Sequence, residues 1–517
     1  MTPRRIRLTR AADLPGLHRA LAARCLSPDL ERVRASAVLL PSRSAAIQFR
    51  ATLETLALEA PGSPAVLALP DLLARGDWYR AMHARARIAS PMLSQLEREV
   101  LLNAAAREAV QEGFVPPFRM RPGLVAEMLA FFDALLRQRR SIERFEALVL
   151  EDLAPRAEFD RGAERLLRQT RFLAAAFRNF ERRVDASGGL DEHSLRRQLL
   201  GHEGGPLYRV VVVAVADRAA DPSGGLFPSD FDLLTRLPHL EAVEILATRR
   251  LLASGLGERL HEMVPDLEDE SGEGEQSPGP RVAAPSESAS RLFFSSRDRE
   301  EELRAATRRV KQAARAGLVD PSRVAIVFGR PLPYVYLAQT VLEAAGVEYQ
   351  CSDALPLAAE PYAALLDQVF AAVATRFGRT SLIELLRSPH LSFGAGEEGP
   401  SPRAIGDLDD ALREAGYLGD PRRLDALAAG WSGDLALAAR AACRACGALA
   451  PLATVAPVSA HIDTLTAFLD EHERPYAGAD QPGGRQLRSR AAVRASLNEL
   501  GTAARRHDDP PARLDVV

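Results

Sequence analysis

Residues 291–350 of this chain read RLFFSSRDREEELRAATRRVKQAARAGLVDPSRVAIVFGRPLPYVYLAQTVLEAAGVEYQ, and this stretch decides the predicted fold. Apolar runs predict three strands, and the segments between them carry apolar residues at helical spacing. The first helix is predicted to be capped by Ser296 or Asp298, with Glu300–Glu302 in its first turn, where the helix dipole favours anions. The resulting pattern is β-α-β-α-β, half of a doubly wound domain. The predicted strands are Arg291–Ser295, Val324–Phe328 and Val347–Tyr349.

A second α/β segment surrounds the run YRVVVVAVA at Tyr208–Ala216. Because this run is apolar on both faces, it predicts a central, buried strand of a parallel sheet. The fold class predicted for the whole chain is therefore α/β, with two parallel sheets. The other strands predicted for this segment are Ile6–Thr9, Ala37–Leu40, Val66–Leu69 and Val243–Ala247.

Two helical regions and one polar segment separate the predicted strands. Residues 78–200 carry apolar side chains at helical spacing and are broken at Pro and Gly pairs such as Gly188-Gly189. A second helical region, rich in Ala, Leu and Arg, covers Ala404–Asp509. Between them, Asp266–Ser290 is acidic, rich in Gly, Pro and Ser, and nearly free of large apolar residues, so we predict a mobile linker.

Four short motifs within residues 291–393 carry a family resemblance: EEE at Glu300–Glu302, VAIVFGR at Val324–Arg330, AAGVEYQ at Ala344–Gln350 and SPHLSF at Ser388–Phe393. In this order they resemble the second RecA-like domain of superfamily-1 DNA helicases. The nearest likeness is the degenerate version found in the AddB subunit of bacterial AddAB helicase–nucleases and related PD-(D/E)XK nuclease family proteins.

The resemblance implies two RecA-like (P-loop NTPase-type) domains with large inserted helical subdomains. It also implies that this chain covers the N-terminal, helicase-like portion, with the nuclease domain of the family absent. The implied domains are 1–75 with 201–265 for the first RecA-like domain, 76–200 for its helical insertion, 266–290 for the acidic linker, 291–400 for the first part of the second RecA-like domain, and 401–517 for a second helical insertion, incomplete at its C-terminus.

The lysine content constrains the chemistry. The chain has 66 basic residues, and Lys311 is the only lysine among them. A P-loop needs a lysine after its glycine-rich turn, and a PD-(D/E)XK nuclease needs one beside its metal-binding carboxylates. Lys311 lies inside a predicted helix and fits neither pattern. We therefore expect neither activity from this chain by itself, and no catalytic residues are assigned.

The resemblance marks four positions of a degenerate nucleotide site: Arg10, Asp13, Asp217 and Arg330. The segment Thr9–Gly16, at the phosphate-loop position, lacks closely spaced glycines, and the carboxylate of Asp13 would repel phosphates. The strand ending near Asp217 lacks the adjacent Asp-Glu pair of an ATPase. The following strand, which ends in Thr248-Arg249-Arg250, lacks the residues of an ATP sensor. We expect no cofactor in this chain.

Ser42 and Arg43 are the candidate DNA-binding residues. They follow the strand Ala37–Leu40, where the resemblance places a serine or threonine and a basic residue facing single-stranded DNA. The alternative is a helix-capping serine followed by an exposed arginine. Arginines of the helical region 78–200 form either a DNA-facing stripe or, because acidic residues are interspersed, a solvated helix face: Arg137, Arg139, Arg140, Arg165, Arg168 and Arg171.

No metal site is assigned. Asp217, Asp230 and Asp232 could approach a metal after the central strand, but turn and helix-capping chemistry explains the same residues. Cys443 and Cys446 form a C-x-x-C pair within an alanine-rich helical segment, without a second pair, which favours a structural role.

With the missing ATPase and nuclease residues taken into account, the resemblance implies an inactivated, helicase-like DNA-binding scaffold acting in bacterial double-strand-break repair and recombination. Its expected partners are single-stranded or duplex-end DNA and an ATP-driven helicase subunit. Two alternatives stay open: a divergent ATP-dependent DNA helicase, and a subunit that only docks a partner protein. The net charge of −3 limits any DNA contact to local patches. With no apolar run of about 18 residues and no signal-peptide core, a cytoplasmic protein without membrane contact is expected.

Overall fold

The computed structural model describes residues 4–26, 29–59, 68–215, 225–264, 266–270, 295–330, 332–351, 356–394, 399–475 and 481–514. The chain divides into two compact units, Met1–Arg281 and Val282–Val517. Each unit is described by itself below.

The first unit contains a six-stranded sheet in which every pair of neighbouring strands is parallel. The strand order is β3-β2-β4-β5-β1-β6. The α/β class and the parallel sheet predicted from the sequence are thereby confirmed. The strands are β1 (Arg5–Ala11), β2 (Ser36–Leu39), β3 (Asp71–Leu73), β4 (Val210–Val213), β5 (Ala242–Thr248) and β6 (Glu268–Glu270).

The valine run of β4 explains why this strand lies inside the sheet. Alternate side chains of a strand point to opposite faces, and here both faces are buried. Val210 and Val212 pack on one face against helices α1 (Leu14–Cys25) and α3 (Arg43–Glu59), together with residues such as Phe49. Val211 and Val213 pack on the other face, in a cluster that includes Trp78. A polar residue anywhere in β4 would therefore lie in an apolar layer.

The helices of the first unit lie on both faces of the sheet and in a separate helical layer. The helices of the layer, α5 to α8, have their own apolar core around Phe132, Phe172 and Phe177. Helix α5 begins with a capping box between Ser94 and Glu97. The bounds are α1 (Leu14–Cys25), α2 (Leu30–Arg34), α3 (Arg43–Glu59), α4 (Arg75–Ala86), α5 (Gln95–Gln111), α6 (Pro122–Arg137), α7 (Ile142–Leu153), α8 (Arg161–Ser187), α9 (Glu192–Leu200), α10 (Pro228–Arg236), α11 (Arg249–Leu251) and α12 (Gly257–Met263).

The predicted linker is wrong at its N-terminal end, because this end contains strand β6. Asp266–Ser290 was expected to lack structure, yet Glu268–Glu270 pairs in parallel with β1. Acidic residues have low strand propensity, so local sequence does not explain this strand. The carboxylate of Glu268 lies 3.3 Å from Nε of Arg5 and 3.4 Å from Nε of Arg7, and Asp269 pairs with Arg10. Ion pairing with an arginine-rich neighbour holds the acidic strand in place.

The second unit is helical in its described residues. Asp298 caps α13, as one of the two predicted alternatives, and the side chain of Lys311 donates to the carbonyl of Ala345. A short antiparallel pair, β7 (Ala456–Pro457) and β8 (Pro511–Ala512), is also present. The helices are α13 (Arg299–Arg315), α14 (Leu332–Ala344), α15 (Pro361–Ala374), α16 (Arg379–Leu386), α17 (Pro402–Glu414), α18 (Pro421–Ala428), α19 (Gly433–Leu449), α20 (Val458–His472) and α21 (Gln481–His507).

The prediction of a buried strand at Val324–Phe328 is wrong for the part of the chain that the structure describes. These residues form no strand, and Val324, Ile326 and Val327 are 37%, 39% and 88% exposed. Val347–Tyr349 likewise forms no strand. A strand requires a hydrogen-bonded neighbour, and the described residues of this unit supply none here. The predicted strand at Arg291–Ser295 lies almost wholly outside the described residues. A second RecA-like sheet therefore stays a prediction.

Within the described ranges, one helical segment, Gly433–Ala453, is long and apolar enough to cross a membrane by length and composition. No such segment was expected from the sequence. Half of its most apolar window is buried in the protein, and alanines of α19 pack in the core of the second unit. This packing gives α19 a place in the core of the second unit.

Candidate nucleic-acid interface

The carboxyl ends of parallel strands meet at one edge of the sheet, where doubly wound proteins bind their ligands. At this edge, Ala12 and Asp13 follow β1, Ser42 and Arg43 come shortly after β2, and Arg249 follows β5. The residues after β4, 216–224, lie outside the described residues, and the predicted position Asp217 is among them.

The connection from β1 to α1 has the chemistry of a helix cap. It contains only Ala12 and Asp13, because β1 extends to Ala11 and α1 begins at Leu14. The carboxylate of Asp13 accepts a hydrogen bond from the amide of Gly16 at 2.7 Å. A phosphate at this position would compete with that carboxylate for the helix amides. The loop predicted over Thr9–Gly16 is thus shorter than expected.

The other two described nucleotide-site positions have different surroundings. Nε of Arg10 donates to both carboxylate oxygens of Asp269, at 2.8 and 3.0 Å, and this hydrogen bonding raises the pKa of Arg10. Arg10 therefore joins β1 to β6. Arg330, in the second unit, is exposed and follows a segment that is not a strand. The arrangement implied by the resemblance, an arginine at the end of a second-sheet strand, is not formed by the described residues.

Ser42 and Arg43 occupy the start of α3, immediately beyond β2. The hydroxyl of Ser42 accepts a hydrogen bond from the amide of Ala45 at 3.1 Å, so Ser42 caps the helix. Arg43, the first residue of α3, is 65% exposed at its side chain. Its Nε and Nη2 atoms each donate to a carboxylate oxygen of Asp77 at 2.8 Å. Arg43 is therefore exposed but held in a defined orientation.

Asp77 and Arg80 form a cluster with Arg43, and neither residue was predicted from the sequence. Asp77 lies in the first turn of α4 and also accepts a hydrogen bond from Nη2 of Arg80 at 2.5 Å. The hydrogen bond from Arg43 lowers the pKa of Asp77, and Arg80 adds to this effect. The spacing of Asp77 and Arg80 on one helix was a possible signal, but their proximity to Arg43 depends on tertiary packing.

Asp230 is a structural residue, so the possibility of a metal ligand at this position is not supported. Its side chain is fully buried and accepts hydrogen bonds from Nε of Arg75 at 2.6 Å and from the hydroxyl of Tyr79 at 2.7 Å. It also accepts from the amide of Phe227 at 2.8 Å, at the start of α10. Asp232 pairs with Arg139 and Arg236. Among the described residues, no three His, Cys, Asp or Glu side chains are placed to hold a metal ion together.

A buried ionic network joins the helices that cover the sheet to the helical layer. Glu192 pairs with Arg75 of α4 and with Arg137 of α6, the latter at 2.7 Å. Asp133 pairs with Arg98 of α5 and accepts from Nε2 of His193 at 3.0 Å. Burial disfavours the charged forms of both carboxylates, but hydrogen bonds from these partners outweigh it and lower both pKa values, that of Asp133 to about 2.

The arginines predicted as a stripe do not share one environment. Arg137 belongs to the buried network, and Arg139 pairs with Asp232 at 3.4 Å. Arg168 forms a pair with Glu164 of the same helix, and Arg165 approaches the carbonyl of Pro117 at 3.5 Å. Arg140 and Arg171 are exposed. Pairing with acidic neighbours is typical of a solvated surface for Arg139 and Arg168.

Comparison with protein-family models finds no match to this chain, and comparison with curated proteins finds none either.

Proposed function

We propose that the chain is a DNA-binding scaffold with a helicase-like first domain and without ATPase activity of its own. In this proposal the parallel sheet of the first unit is RecA-like, and its carboxyl edge holds single-stranded DNA by the phosphate backbone. An ATP-driven helicase subunit would supply movement along DNA, in the setting of bacterial double-strand-break repair.

The observation that carries the proposal is the position of Arg43. It lies just beyond the carboxyl end of β2, an interior strand of the parallel sheet, at the start of a 17-residue helix, with 65% of its side chain exposed. A guanidinium at such a place can meet a phosphate together with the positive end of the helix dipole. The helix-cap chemistry at Asp13 supports the part of the proposal that excludes ATP.

The experiment is a salt titration of single-stranded DNA binding. A fluorescent oligothymidine is titrated with the parent chain and with Arg43→Ala at several salt concentrations. Each phosphate contact on a single strand contributes about −0.7 to the slope of log affinity against log salt. Arg43→Ala is expected to weaken binding and to make the slope shallower by about this amount.

Arg161→Ala is the matched control. Arg161 is also the first residue of a long helix, and the preceding Asp160 caps that helix, but it lies in the helical layer, away from the sheet edge. Its replacement should leave both affinity and slope unchanged. Equal affinity of Arg43→Ala and the parent at every salt concentration would contradict the proposal.

The pairing of Arg43 with Asp77 favours a second candidate function, a subunit that docks a partner protein and does not touch DNA. A carboxylate already satisfies part of the hydrogen-bonding capacity of this guanidinium. Absence of DNA binding by the parent would support this candidate.

A further inference from the structure

Two arginines share one carboxylate at the edge of the sheet. Asp77 accepts two hydrogen bonds from Arg43 and one from Arg80. The side chains of Arg43 and Arg80 are 65% and 58% exposed, whereas that of Asp77 is 25% exposed. Two cations and one anion leave the cluster with a net positive charge. Its less exposed member is the anion, and the two guanidiniums are open to solvent.

The hydrogen-bonding capacity of the two guanidiniums is only partly used by Asp77. A guanidinium has five N–H donors. Arg43 uses Nε and one Nη2 donor for Asp77, and Arg80 uses one Nη2 donor for Asp77 and directs Nε to the carbonyl of Gly76 at 3.4 Å. Each arginine therefore keeps its Nη1 donors for an anion. Hydrogen bonds from a guanidinium to a phosphate are charge-assisted and therefore strong.

We propose that Asp77 is a positioning residue, which holds Arg43 and Arg80 as two arms of a clamp for one backbone phosphate of DNA. This inference rests on the proposed function and deepens it, because it adds Arg80 as a second phosphate ligand. A long side chain that is already fixed loses less conformational freedom when a ligand binds. Asp77 thus increases affinity for an anion although it is an anion itself.

Simple electrostatics predicts the opposite effect, namely that the charge of Asp77 weakens the binding of an anion. If Asp77 only repelled or competed with the phosphate, its neutralisation would strengthen binding. If Asp77 positions the arginines, Asp77→Asn weakens binding despite the gain of positive charge. The expected loss is about two- to tenfold, which corresponds to the rotamer freedom of one or two long side chains. The direction of the change decides between the two cases.

The experiment measures binding of a fluorescent oligothymidine to the full chain by anisotropy, at low and moderate salt. Asp77→Asn is expected to weaken binding, and Arg80→Ala to weaken it and to make the salt slope shallower by about 0.7. Arg80→Lys keeps the charge but lacks the planar fork, so it should restore the slope and only part of the affinity. In an Arg43→Ala, Arg80→Ala background, Asp77→Asn should no longer weaken binding.

Asp152→Asn is the matched control, because it removes the same charge from an exposed aspartate that pairs with Arg156 in a surface helix. It should leave affinity unchanged. Unchanged or tighter binding by Asp77→Asn, with normal binding by the parent, would overturn the positioning role alone. Failure of the parent to bind DNA would overturn the proposed function and this inference with it. Thermal unfolding of each variant checks that the fold is retained.

Discussion

Arg98 and Asp133 form an ion pair inside the helical layer, where each side chain is only 9% exposed. Nη1 of Arg98 lies 3.1 Å from Oδ2 of Asp133, and Oδ1 of Asp133 also accepts from His193. Removal of one partner from a buried ion pair leaves the other charge without water or counter-charge. The stability of the first unit is therefore sensitive to changes at residues that have no place in the proposed DNA contact.

Neutralisation of Asp133 should destabilise the first unit strongly. In Asp133→Asn, the guanidinium of Arg98 stays buried without its anion, and the expected loss is about 3 kcal/mol in the free energy of unfolding. Urea denaturation followed by circular dichroism measures it. Asp152→Asn, in an exposed pair with Arg156, should cost less than about 0.5 kcal/mol and serves as the control. Equal effects of the two changes would contradict the structural role of the buried pair.

The same network predicts acid sensitivity. The folded-state pKa values of Asp133 and Glu192 are lowered, that of Asp133 from 3.8 to about 2. A carboxyl group with a lowered folded-state pKa contributes stability above its ordinary pKa and loses it as pH falls through the folded-state value. The urea midpoint should therefore fall as pH decreases from about 4 toward about 2. The urea midpoint of Asp133→Asn should decrease less over this range than that of the parent. If the two midpoints showed the same pH dependence, Asp133 would not be the source of the acid sensitivity.

The chain is expected not to bind ATP in a saturable manner. The amide of Gly16, in the first turn of α1, already donates to Asp13, and the only lysine of the chain lies in α13. Titration with a fluorescent ATP analogue and Mg²⁺, followed by displacement with unlabelled ATP, tests this expectation. Micromolar binding that unlabelled ATP displaces would contradict it and would favour the divergent helicase.

Hydrogen exchange should separate two segments that have similar sequences. Val210–Val213 and Val324–Phe328 are both apolar runs, but only the first is paired on both sides, by β2 and β5. Amides of Val211–Val213 should exchange slowly, whereas those of Ala325–Phe328 should exchange rapidly, because no strand protects them among the described residues. Comparable protection of both segments, measured by mass spectrometry, would show that the second run has a strand partner.

Local sequence was sufficient for the centre of the sheet. Strands with a buried apolar pattern, such as β4 and β5, lie close to their predicted positions, since burial on both faces leaves a strong signal in the sequence. The strand predicted at Val66–Leu69 lies partly outside the described residues, its described part is not a strand, and β3 forms at Asp71–Leu73. Asp71 is a poor strand residue, and its carboxylate is held there by the hydroxyl of Tyr208 at 2.7 Å and by Arg85 at 2.8 Å. Such distant partners are not visible in a local pattern.

The charged contacts of the first unit were not predicted for the same reason. The Arg43–Asp77 pair joins two helices, and only the fold brings them together. One signal was present in the sequence: Asp133 interrupts the apolar run LAFFDALL of α6, where a polar residue requires a buried partner. That pattern indicates the existence of a partner, but it does not identify Arg98.

Strand order has a consequence for synthesis of the chain. Arg5 pairs with Ala242, so β1 has no neighbour until β5 has left the ribosome. At about 5–20 residues per second, this wait lasts on the order of 10 to 50 seconds, while the helical layer between them can fold around its own core. An unpaired apolar strand is an aggregation hazard during such a wait. The arginines of RRIRLTR, at residues 4–10, interrupt the apolar pattern of β1. Charged residues in such a strand oppose aggregation, so they should help to keep the nascent strand soluble until β5 and β6 have been synthesised.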